Sequence, residues 1–435
     1  MMESLLIIGG GLAGCEAAWQ ASRLGVSITL YEMRPHKFTP AHHTDLLAEL
    51  VCSNSLRSTS LANAVGLLKE EMMLADSLIM KCAQETSVPA GGALAVDRAK
   101  FAERVTEEIV KSSRIKPVRE EVVEIPEQRP LIIATGPLTS DHLSNSIASL
   151  TGKEYLFFYD AVAPLVTLES INTNLVFRQS RYGKGEAAYL NAPLNEDEYR
   201  RFWERLVAAE VNDPRAFERN LFFEGCLPLE VMARRGFDTL RFGPLKPVGL
   251  IDPRTGKEPF AVVQLRQDNA AGSIYNLVGF QTQLKWGEQK NVFRMIPGLE
   301  NAEFVRFGVM HRNTFLNGPQ LLQPTLQLRK APQILCAGQI TGVEGYVESA
   351  ACGLIAGING ARLASGKEPL IPPQQSAHGS LCRHVSASAS SNFQPMNINY
   401  GLFPPLPGKL PRRLRAQRIS ERALASWSQF LAKLL

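Results

Sequence analysis

The residues near the N-terminus whose types and spacing could do chemistry are glycines. The run Gly9-Gly10-Gly11-Leu12-Ala13-Gly14 fits the pattern G-x-G-x-x-G, and Glu32 follows eighteen residues after its last glycine. In such a turn the first glycine allows a tight bend, the second lets the backbone approach a pyrophosphate, and the third permits close helix packing. A carboxylate at the spacing of Glu32 accepts hydrogen bonds from a ribose, which favours FAD or NAD over NADP. These residues predict a dinucleotide-binding site.

The elements around this turn occur in the order that such a site requires. Residues 5–8 form an apolar run typical of a buried strand, residues 15–24 have helical composition, and residues 27–31 predict a second strand that ends at Glu32. A helix that begins at the glycine turn offers unpaired N–H groups to the phosphates. A lone glycine fingerprint is often only a loop, but here all four parts occur in register.

Two further strand ends could contribute to the same site. Residues 131–136 are an apolar run ending in Ala134-Thr135-Gly136, and residues 333–336 predict a strand before the turn Ala337-Gly338-Gln339. A helix rich in small residues is expected over 349–364. Small residues at the carboxyl ends of parallel strands are typical of the edge where a doubly wound sheet binds its cofactor. We therefore expect an α/β fold whose Rossmann-like FAD-binding domain, of the glutathione-reductase type, is built from two parts of the chain.

The middle of the chain has a different pattern and predicts an inserted α+β domain. Asn195 precedes an amphipathic helix with an acidic first turn, and residues 260–267 and 273–284 are strand-like runs joined by a hairpin. The predicted division is 1–154 for the first part of the FAD-binding domain, 155–290 for the insertion, and 291–435 for the second part with a basic C-terminal helix. The other predicted elements are helices over 66–82 and 99–111 and a strand over 121–125.

Composition restricts the class of protein. The 435 residues suffice for two or three domains, and 45% hydrophobic with 20% charged residues is ordinary for a globular enzyme. No apolar run is long enough to span a bilayer and the N-terminus predicts a strand, not a signal peptide, so we expect a cytoplasmic protein without a membrane partner. The seven cysteines lack C-x-x-C spacing, and the clustered histidines 36, 42 and 43 lack completing ligands, so neither disulfides nor a metal site is predicted.

Several long stretches resemble one family, the folate- and FAD-dependent tRNA (uracil-5-)methyltransferases called TrmFO. The resemblance implies non-covalently bound FAD, 5,10-methylenetetrahydrofolate as carbon donor, NADPH or NADH as reductant, and the T-loop uridine at tRNA position 54 as target. Because the chain holds one complete dinucleotide fingerprint, the nicotinamide would bind without that motif. The matching stretches run nearly end to end: GGGLAGCEAAW (9–19), EMRP (32–35), TPAHHTDLLAELVCSNSLR (39–57), VPAGGALAVDR (88–98), ATGPLTS (134–140), KPVGLIDPRTGKEPFAVVQLRQ (246–267), LVGFQTQLKW (277–286), MIPGLENAEFVRFGVMHRNTFLN (295–317), CAGQITGVEGYVESAACGLIAGINGA (336–361) and FQPMNINYGLFPP (393–405).

The resemblance also separates the roles of two cysteines. Uracil C5 is a weak nucleophile, so a thiolate must add to C6 before C5 can take up a one-carbon unit. Carried over by motif, Cys226 resembles this nucleophile, and Cys52, expected near the flavin ring, resembles the group that abstracts the C5 proton. Most single cysteines are small buried hydrophobes, and the motif context changes that interpretation for these two alone. Ala192 occupies a position where many family members have Cys, so it is not expected to be catalytic.

Substrate contacts are expected in three further stretches. By resemblance, Trp286 and the run His311-Arg312-Asn313 lie near the folate and the flavin, where an imidazole could stack on a pterin and basic groups could meet the anionic folate tail. The plainer interpretation of His311 is a core or capping histidine. Residues 408–422 carry six basic side chains and one acidic one, which predicts either a solvated helix face or a contact with RNA phosphates.

Three other functions remain open from the sequence. The related large FAD proteins that modify the tRNA wobble uridine share the glycine turn but need a long C-terminal helical domain, for which the 71 residues after Ala364 are too few. The same chemistry could act on a ribosomal RNA uridine. The chain could also be a non-catalytic RNA-binding flavoprotein, which the presence of both Cys52 and Cys226 disfavours. The sequence predicts no particular oligomeric state.

Overall fold

The structure is a computed structural model that describes residues 4–152, 156–161, 163–183, 186–212, 227–308, 310–388, 393–408 and 411–434. Of residues 156–161, 310–312 and 412–413 it describes the backbone alone. The predicted nucleophile Cys226 lies outside the described residues. Among the helices that are described, none combines the length and apolar composition needed to cross a membrane.

The strands and helices are numbered separately along the chain. The strands are β1 Ser4–Ile8, β2 Ser27–Glu32, β3 Ser55–Ser58, β4 Ser87–Val88, β5 Ala93–Val96, β6 Ile115–Arg119, β7 Leu131–Ile133, β8 Leu156–Ala161, β9 Leu165–Thr167, β10 Phe177–Arg178, β11 Tyr189–Leu194, β12 Ala261–Gln267, β13 Ile274–Leu277, β14 Phe304–Arg306, β15 Met310–Phe315, β16 Gln327–Leu328 and β17 Ala331–Cys336. The helices are α1 Leu12–Arg23, α2 Ala64–Leu74, α3 Leu78–Glu85, α4 Arg98–Lys111, α5 Asp141–Thr151, α6 Glu196–Ala208, α7 Leu229–Arg234, α8 Thr239–Phe242, α9 Trp286–Phe293, α10 Gly318–Leu321, α11 Tyr346–Ala364, α12 Ala377–Ala387 and α13 Arg412–Leu431.

The first sheet joins the two ends of the chain. Its strand order is β16-β17-β7-β1-β2-β6, and every neighbouring pair from β17 to β6 is parallel. Strands β1 and β7 are buried on both faces, which is why they read as continuous apolar runs in the sequence. Strand β17 pairs with β7 although nearly two hundred residues separate them in the sequence, so the first sheet is assembled from two parts of the chain as predicted.

The second sheet is formed between these two parts. Its order is β10-β11-β12-β13-β9-β14, with antiparallel pairing throughout. One face packs on helices α6, α7 and α9 through buried aromatic side chains such as Tyr199, Phe202 and Phe293. Helix α6 begins at the predicted position, where Asn195 accepts a hydrogen bond from the Glu198 amide and the Glu198 carboxylate accepts one from the Asn195 amide.

Three predicted elements were wrong in extent or position. The helix expected over 66–82 is two helices, because Asp76 adopts a left-handed φ of 52° and Ser77 caps a new helix by accepting from the Met80 amide. The strand expected over 121–125 is instead β6, which tolerates Pro117 because it lies at the sheet edge. The strand expected over 273–284 is shorter than predicted. It is β13, which ends at Leu277, and Gly279 then turns the chain with a φ of 79°.

Helices α1 and α11 pack closely enough for their backbones to touch. A Cβ atom added at Gly353 would lie 2.2 Å from the Ala13 carbonyl oxygen, and one at Gly357 would lie 2.4 Å from the Ala17 carbonyl oxygen. Real Cβ atoms do not approach backbone oxygens this closely, so both positions need glycine. The contact holds the C-terminal strand, turn and helix against the N-terminal glycine turn.

We predict that Gly357→Ala destabilises the protein. Alanine favours a helix interior by up to about 1 kcal/mol, but the added methyl group must push α11 away from the backbone of α1. Overpacking of this kind costs about 1 to 3 kcal/mol, so the midpoint of denaturant unfolding is expected to fall.

The matched control is Gly287→Ala in helix α9, where an added Cβ meets no atom within 4 Å. This variant is expected to unfold at the wild-type midpoint or slightly above it. Equal midpoints for Gly357→Ala and Gly287→Ala would show that the two helices can separate without loss of stability.

Candidate dinucleotide cleft and cysteine loop

A cleft with about 1060 Å³ of space between protein atoms, part of it open solvent, runs along the carboxyl ends of the first sheet's strands. The glycine turn forms its floor, and the ends of β2, β7 and β17 form its walls. Of the predicted cofactor-binding residues, the following line it: Gly9, Gly10, Gly11, Leu12, Ala13, Glu32, Ala134, Thr135, Gly136, Gly338 and Gln339. Gly14 lies beneath the turn instead, where a Cβ atom would come within 1.8 Å of the Gly9 carbonyl oxygen.

The floor of the cleft fits a pyrophosphate. A Cβ atom added at Gly11 would meet nothing within 4 Å, because it would point into the open cleft. Helix α1 begins directly after Gly11 with no side-chain cap and no acidic residue in its first turn. Its first N–H groups and the positive end of its dipole are therefore available to an anion. The residues present fit the phosphates of a dinucleotide such as FAD.

Glu32 is fixed by a buried hydrogen-bond network. One carboxylate oxygen accepts from the Gly10 amide at 3.0 Å, and the other accepts from the amide and Nε of Arg34 at 3.1 and 2.9 Å. Arg34 also donates to Glu49 at 3.0 Å, and Glu49 fastens the following loop by accepting from the Thr44 amide and hydroxyl. Burial raises the pKa of Glu32, but Arg34 and the Gly10 amide outweigh burial and hold the pKa below its usual range.

The thiol of Cys52 lies beside the cleft. Its Sγ is 3.0 Å from the hydroxyl of Tyr346, and both Tyr346 and Val51 line the cleft. The amides of Cys52 and Ser53 donate to the same hydroxyl oxygen at 2.8 and 3.3 Å, which leaves the hydroxyl hydrogen for the sulfur. Burial, and then the neighbouring thiol, raise the pKa of Tyr346 well above its usual value, so the phenol keeps its proton and can stabilise a thiolate.

Cys52 differs from the other cysteines that the structure describes. It is partly exposed, whereas the side chains of Cys15, Cys82, Cys336, Cys352 and Cys382 are buried. Burial raises the pKa of Cys82, Cys336 and Cys352 to about 12, which makes them poor nucleophiles and bases at neutral pH. Ala192 is also buried, in strand β11 of the second sheet.

Three arginines contact the loop that carries Cys52. Arg98 donates to the carbonyl of Leu50 at 3.2 Å, and Arg306 donates to the carbonyl of Val51 at 3.1 Å. Arg266 donates to the side chains of Asn54 and Ser53 at 3.0 and 2.8 Å. Helix α4 of the N-terminal part supplies Arg98, while the second sheet supplies Arg266 from β12 and Arg306 from β14.

The predicted substrate residues lie on neighbouring elements. Trp286 is 61% exposed and stacks on Phe307, the residue after Arg306, with ring centroids 5.6 Å apart. The backbone of residues 311–313 belongs to β15, and their side chains are described only for Asn313, which is buried. Strand β15 touches the cleft wall, because the amide and hydroxyl of Thr314 donate to the Pro137 carbonyl at 2.9 and 3.0 Å.

The sequence did not single out Tyr346, Arg98, Arg266 or Arg306 as site residues. All four lie in stretches that resemble the TrmFO family, which is the one signal that could have marked them. The histidines at 36, 42 and 43 form no ligand set; His42 hydrogen-bonds to Thr39 at 2.6 Å. Over the described ranges, no three His, Cys, Asp or Glu side chains are grouped so as to hold a metal ion.

This fold and cleft define a dinucleotide-binding α/β protein of the two-part Rossmann type with a second, antiparallel sheet. The solved structure of Aquifex aeolicus GidA in its form II crystal superposes with a TM-score of 0.72 at 17% identity, over 99% of this chain and 73% of that chain. Similarity at this identity shows the fold alone. It confirms the predicted fold class.

Comparison of sequences identifies the family. Residues 4–368 match the family described as glucose inhibited division protein A. The proteins named methylenetetrahydrofolate–tRNA-(uracil-5-)-methyltransferase TrmFO from Pelotomaculum thermopropionicum and Moorella thermoacetica are 62% and 61% identical to this chain over 434 and 429 residues. These matches cover 100% and 98% of this chain, and 99% and 98% of the relatives. The chain therefore belongs to the glucose inhibited division protein A family and, within it, to the TrmFO proteins.

We predict that Gly11→Val abolishes flavin binding without unfolding the protein. The extended backbone of Gly11, with φ −79° and ψ −170°, is open to valine, but the side chain would fill the floor of the cleft. The purified wild-type protein is expected to show a flavin absorption spectrum, and the variant is expected to lose it. Gly287→Val, at an exposed position that does not line the cleft, is the control and is expected to stay yellow. Wild-type FAD occupancy in Gly11→Val would contradict the placement of the pyrophosphate.

Proposed function

We propose that this chain is a methylenetetrahydrofolate-dependent tRNA (uracil-5-)methyltransferase that forms 5-methyluridine at position 54 of the T-loop. The observation that carries the proposal is the position of Cys52, a partly exposed thiol hydrogen-bonded to a tyrosine of the dinucleotide cleft. The names of relatives at 57–62% identity support it. A cytoplasmic location remains part of this proposal.

The reaction needs one thiolate and one base. The thiolate of Cys226 adds to uracil C6, and the electron pair that reaches C5 forms a bond to the methylene carbon of the folate. Cys52 then takes the C5 proton, and the electron pair left at C5 forms an exocyclic methylene as the bond from the transferred carbon to the folate nitrogen breaks. Cys226 stays on C6 until the methylene is reduced to a methyl group, when the C6–sulfur bond breaks and the thiolate leaves. The Tyr346 hydroxyl and the nearby guanidinium groups favour the thiolate form of Cys52 that this proton transfer requires.

The cofactors are assigned to the cleft and its surroundings. When bound and reduced, FAD supplies the two electrons that convert the exocyclic methylene to a methyl group. The glycine turn would hold its pyrophosphate and Glu32 its ribose. Trp286, His311, Arg312 and Asn313 would bind 5,10-methylenetetrahydrofolate, since β15 touches the cleft wall and Trp286 stacks on Phe307, the residue after Arg306. NADPH or NADH would reduce the flavin.

The pairing of strands supports a domain division that is close to the predicted one. We place the FAD-binding domain in two parts and the insertion between them, as in 1–154, 155–290 and 291–435. The last boundary is better placed after Arg306, because helix α9 continues past residue 290 and β14 pairs with β9 of the second sheet. A boundary there keeps the whole second sheet in one domain.

The basic helix α13 offers a surface to RNA. Its apolar face is buried through Ile419, Ala423 and Trp427, and the indole of Trp427 donates to the Glu71 carbonyl at 2.7 Å. Arg415 and Arg418 are exposed on the other face. The helix is therefore fixed to the first domain while its cations face solvent, which suits a contact with the phosphates of tRNA.

We predict that RNA carrying 5-fluorouridine at the target position traps a covalent complex with the wild-type protein. Fluorine cannot leave as a proton, so the adduct at C6 cannot resolve. Cys226→Ala is expected to lose both the adduct and methylation. Cys52→Ala is expected to form the adduct but lose methylation, because addition to C6 does not need the base. Denaturing gel electrophoresis and mass spectrometry of the cross-linked peptide measure both.

Cys82→Ala, a buried thiol on α3, is the control and is expected to retain adduct and turnover. An adduct that persists in Cys226→Ala and disappears in Cys52→Ala, at equal FAD occupancy, would reverse the two roles.

Presenting 5-fluorouridine-substituted tRNA and ribosomal RNA separately tests the target, and an adduct with ribosomal RNA alone would overturn the tRNA assignment. The absence of any adduct with either RNA would favour a non-catalytic flavoprotein.

We predict that Arg415→Gln and Arg418→Gln together weaken tRNA binding in a salt-dependent manner. Each phosphate contact that is lost is expected to reduce the slope of log affinity against log salt concentration by about 0.7 to 0.9. Removing the same charge from α4, with Lys100→Gln and Lys111→Gln, is the matched control. If both double variants give the wild-type slope, the basic face of α13 is only solvated.

A further inference from the structure

The loop that carries Cys52 lies at the junction of the two large sheets. Asn54 is fully buried and donates through its side-chain amide to the carbonyls of Val96 and Gln267, both at 3.0 Å. Val96 belongs to β5 of the N-terminal part, and Gln267 ends β12 of the second sheet. The position of the thiol relative to the cleft is therefore set from both sides.

Besides the Gln267 carbonyl, the second sheet contacts this loop through two guanidinium groups. Arg306 reaches the carbonyls of Val51 and Cys52 at 3.1 and 3.5 Å, and Arg266 reaches the side chains of the next two residues. Arg306 thus holds the backbone at Val51 and Cys52, and Arg266 holds the side chains of Ser53 and Asn54. The loop is held on either side of the sulfur, so a shift of the second sheet moves Cys52.

Removing the three guanidinium groups of this junction from water is unfavourable. One carboxylate, that of Asp268, lies close enough to pair with one of them. Asp268 pairs with Arg98 at 2.9 Å, which leaves Arg266 and Arg306 bound to neutral acceptors. Burial, followed by the charge of Arg98, lowers the pKa of Arg306 to about 10, so it remains protonated at neutral pH. The Nε of Arg306 is buried with no hydrogen-bond acceptor among the described residues. An unpaired buried donor opposes folding, so the contacts of Arg306 fix the geometry of the loop at a cost in stability.

We infer that Arg306, supported by Arg266, is a positioning residue that holds the Cys52 thiol beside the cleft and makes proton removal depend on the second sheet. The inference rests on the proposed role of Cys52. Arg306 acts through the carbonyls of Val51 and Cys52 and through its charge, and it does not touch the uracil. Its removal lets the thiol move and takes away a cation that favours the thiolate.

The test is Arg306→Met, with turnover, adduct formation and FAD occupancy measured on the same preparation. Turnover is expected to fall on the order of 100-fold, the usual effect of misplacing a catalytic group by about 1 Å. The adduct with 5-fluorouridine RNA and the flavin spectrum are expected to remain, because neither needs Cys52. Arg306→Lys is expected to recover part of the turnover, since lysine keeps the charge but cannot reach two carbonyls.

A second measurement follows the thiol itself. Alkylation of Cys52 by iodoacetamide, read by peptide mass spectrometry against pH, reports its ionisation. The groups facing Cys52 are Tyr346 from α11, Arg98 from α4 and Arg306 from β14, with Asp268 beside Arg98. Loss of the Arg306 charge disfavours the thiolate, so the alkylation profile of Arg306→Met is expected to move to higher pH by on the order of one unit. Arg306→Lys is expected to stay near the wild-type profile.

The control is Arg294→Met in the same part of the chain, because Arg294 also donates two bonds to a backbone carbonyl, that of Ala302, but away from Cys52. It is expected to match the wild type in every measurement. Wild-type turnover and alkylation in Arg306→Met would overturn the inference, as would an equal loss of adduct and turnover at full FAD occupancy. If Arg306→Met does not retain FAD, Arg306→Lys is used instead. Reduced turnover with a wild-type amount of adduct in Arg306→Lys would support the inference, and an equal loss of both would overturn it. Absence of an adduct in the wild type would instead overturn the proposed function.

Discussion

The close approach of helices α1 and α11 is the constraint on which the rest of the structure depends. Gly353 and Gly357 let the backbone of α11 lie against Ala13 and Ala17, next to the glycine turn. The N-terminus of α11 then brings Tyr346 to the cleft, and the turn before it brings Gly338 and Gln339. One helix contact thus joins residues more than three hundred positions apart into one cleft.

The second sheet is tied to this site through charge more than through apolar packing. The large core clusters of the two sheets are separate, and the Cys52 loop between them is held by hydrogen bonds from Arg98, Arg266 and Arg306. Desolvating a guanidinium opposes folding unless its hydrogen bonds are well made, so such contacts fix geometry better than they add stability. Such a junction suits a thiol that must be held at a fixed position while it stays partly exposed.

The sequence predicts what depends on local pattern. The N-terminal strand, turn, helix and strand and the capped helix after Asn195 were predicted because periodicity and capping residues are local signals. The break at Asp76 was missed because the residues on both sides of it have helical composition and no Gly or Pro marks the turn. Strand β6 was missed because Pro117 argues against a strand unless the strand is known to lie at an edge.

Long-range contacts explain the remaining gaps in the predicted site. The glycine turn and Glu32 could be chosen from spacing alone, and eleven of the twelve predicted cofactor residues line the cleft. Nothing local marks Arg306 or Tyr346, because their importance comes from a partner about 250 and 300 residues away. Only the resemblance to a family pointed to those stretches. The physical role of each residue required the fold.

The network around Glu32 shows how a site can be ordered before its ligand arrives. A carboxylate has about four acceptor positions, and here Gly10 and Arg34 occupy three of them. One position on Oε2 is left, and because Glu32 lines the cleft a ribose hydroxyl could donate to it. Since Arg34 is itself held by Glu49, the carboxylate does not have to lose rotamer freedom on binding. The arrangement also keeps Glu32 ionised, and a negative charge there repels the phosphate that distinguishes NADP from NAD and FAD.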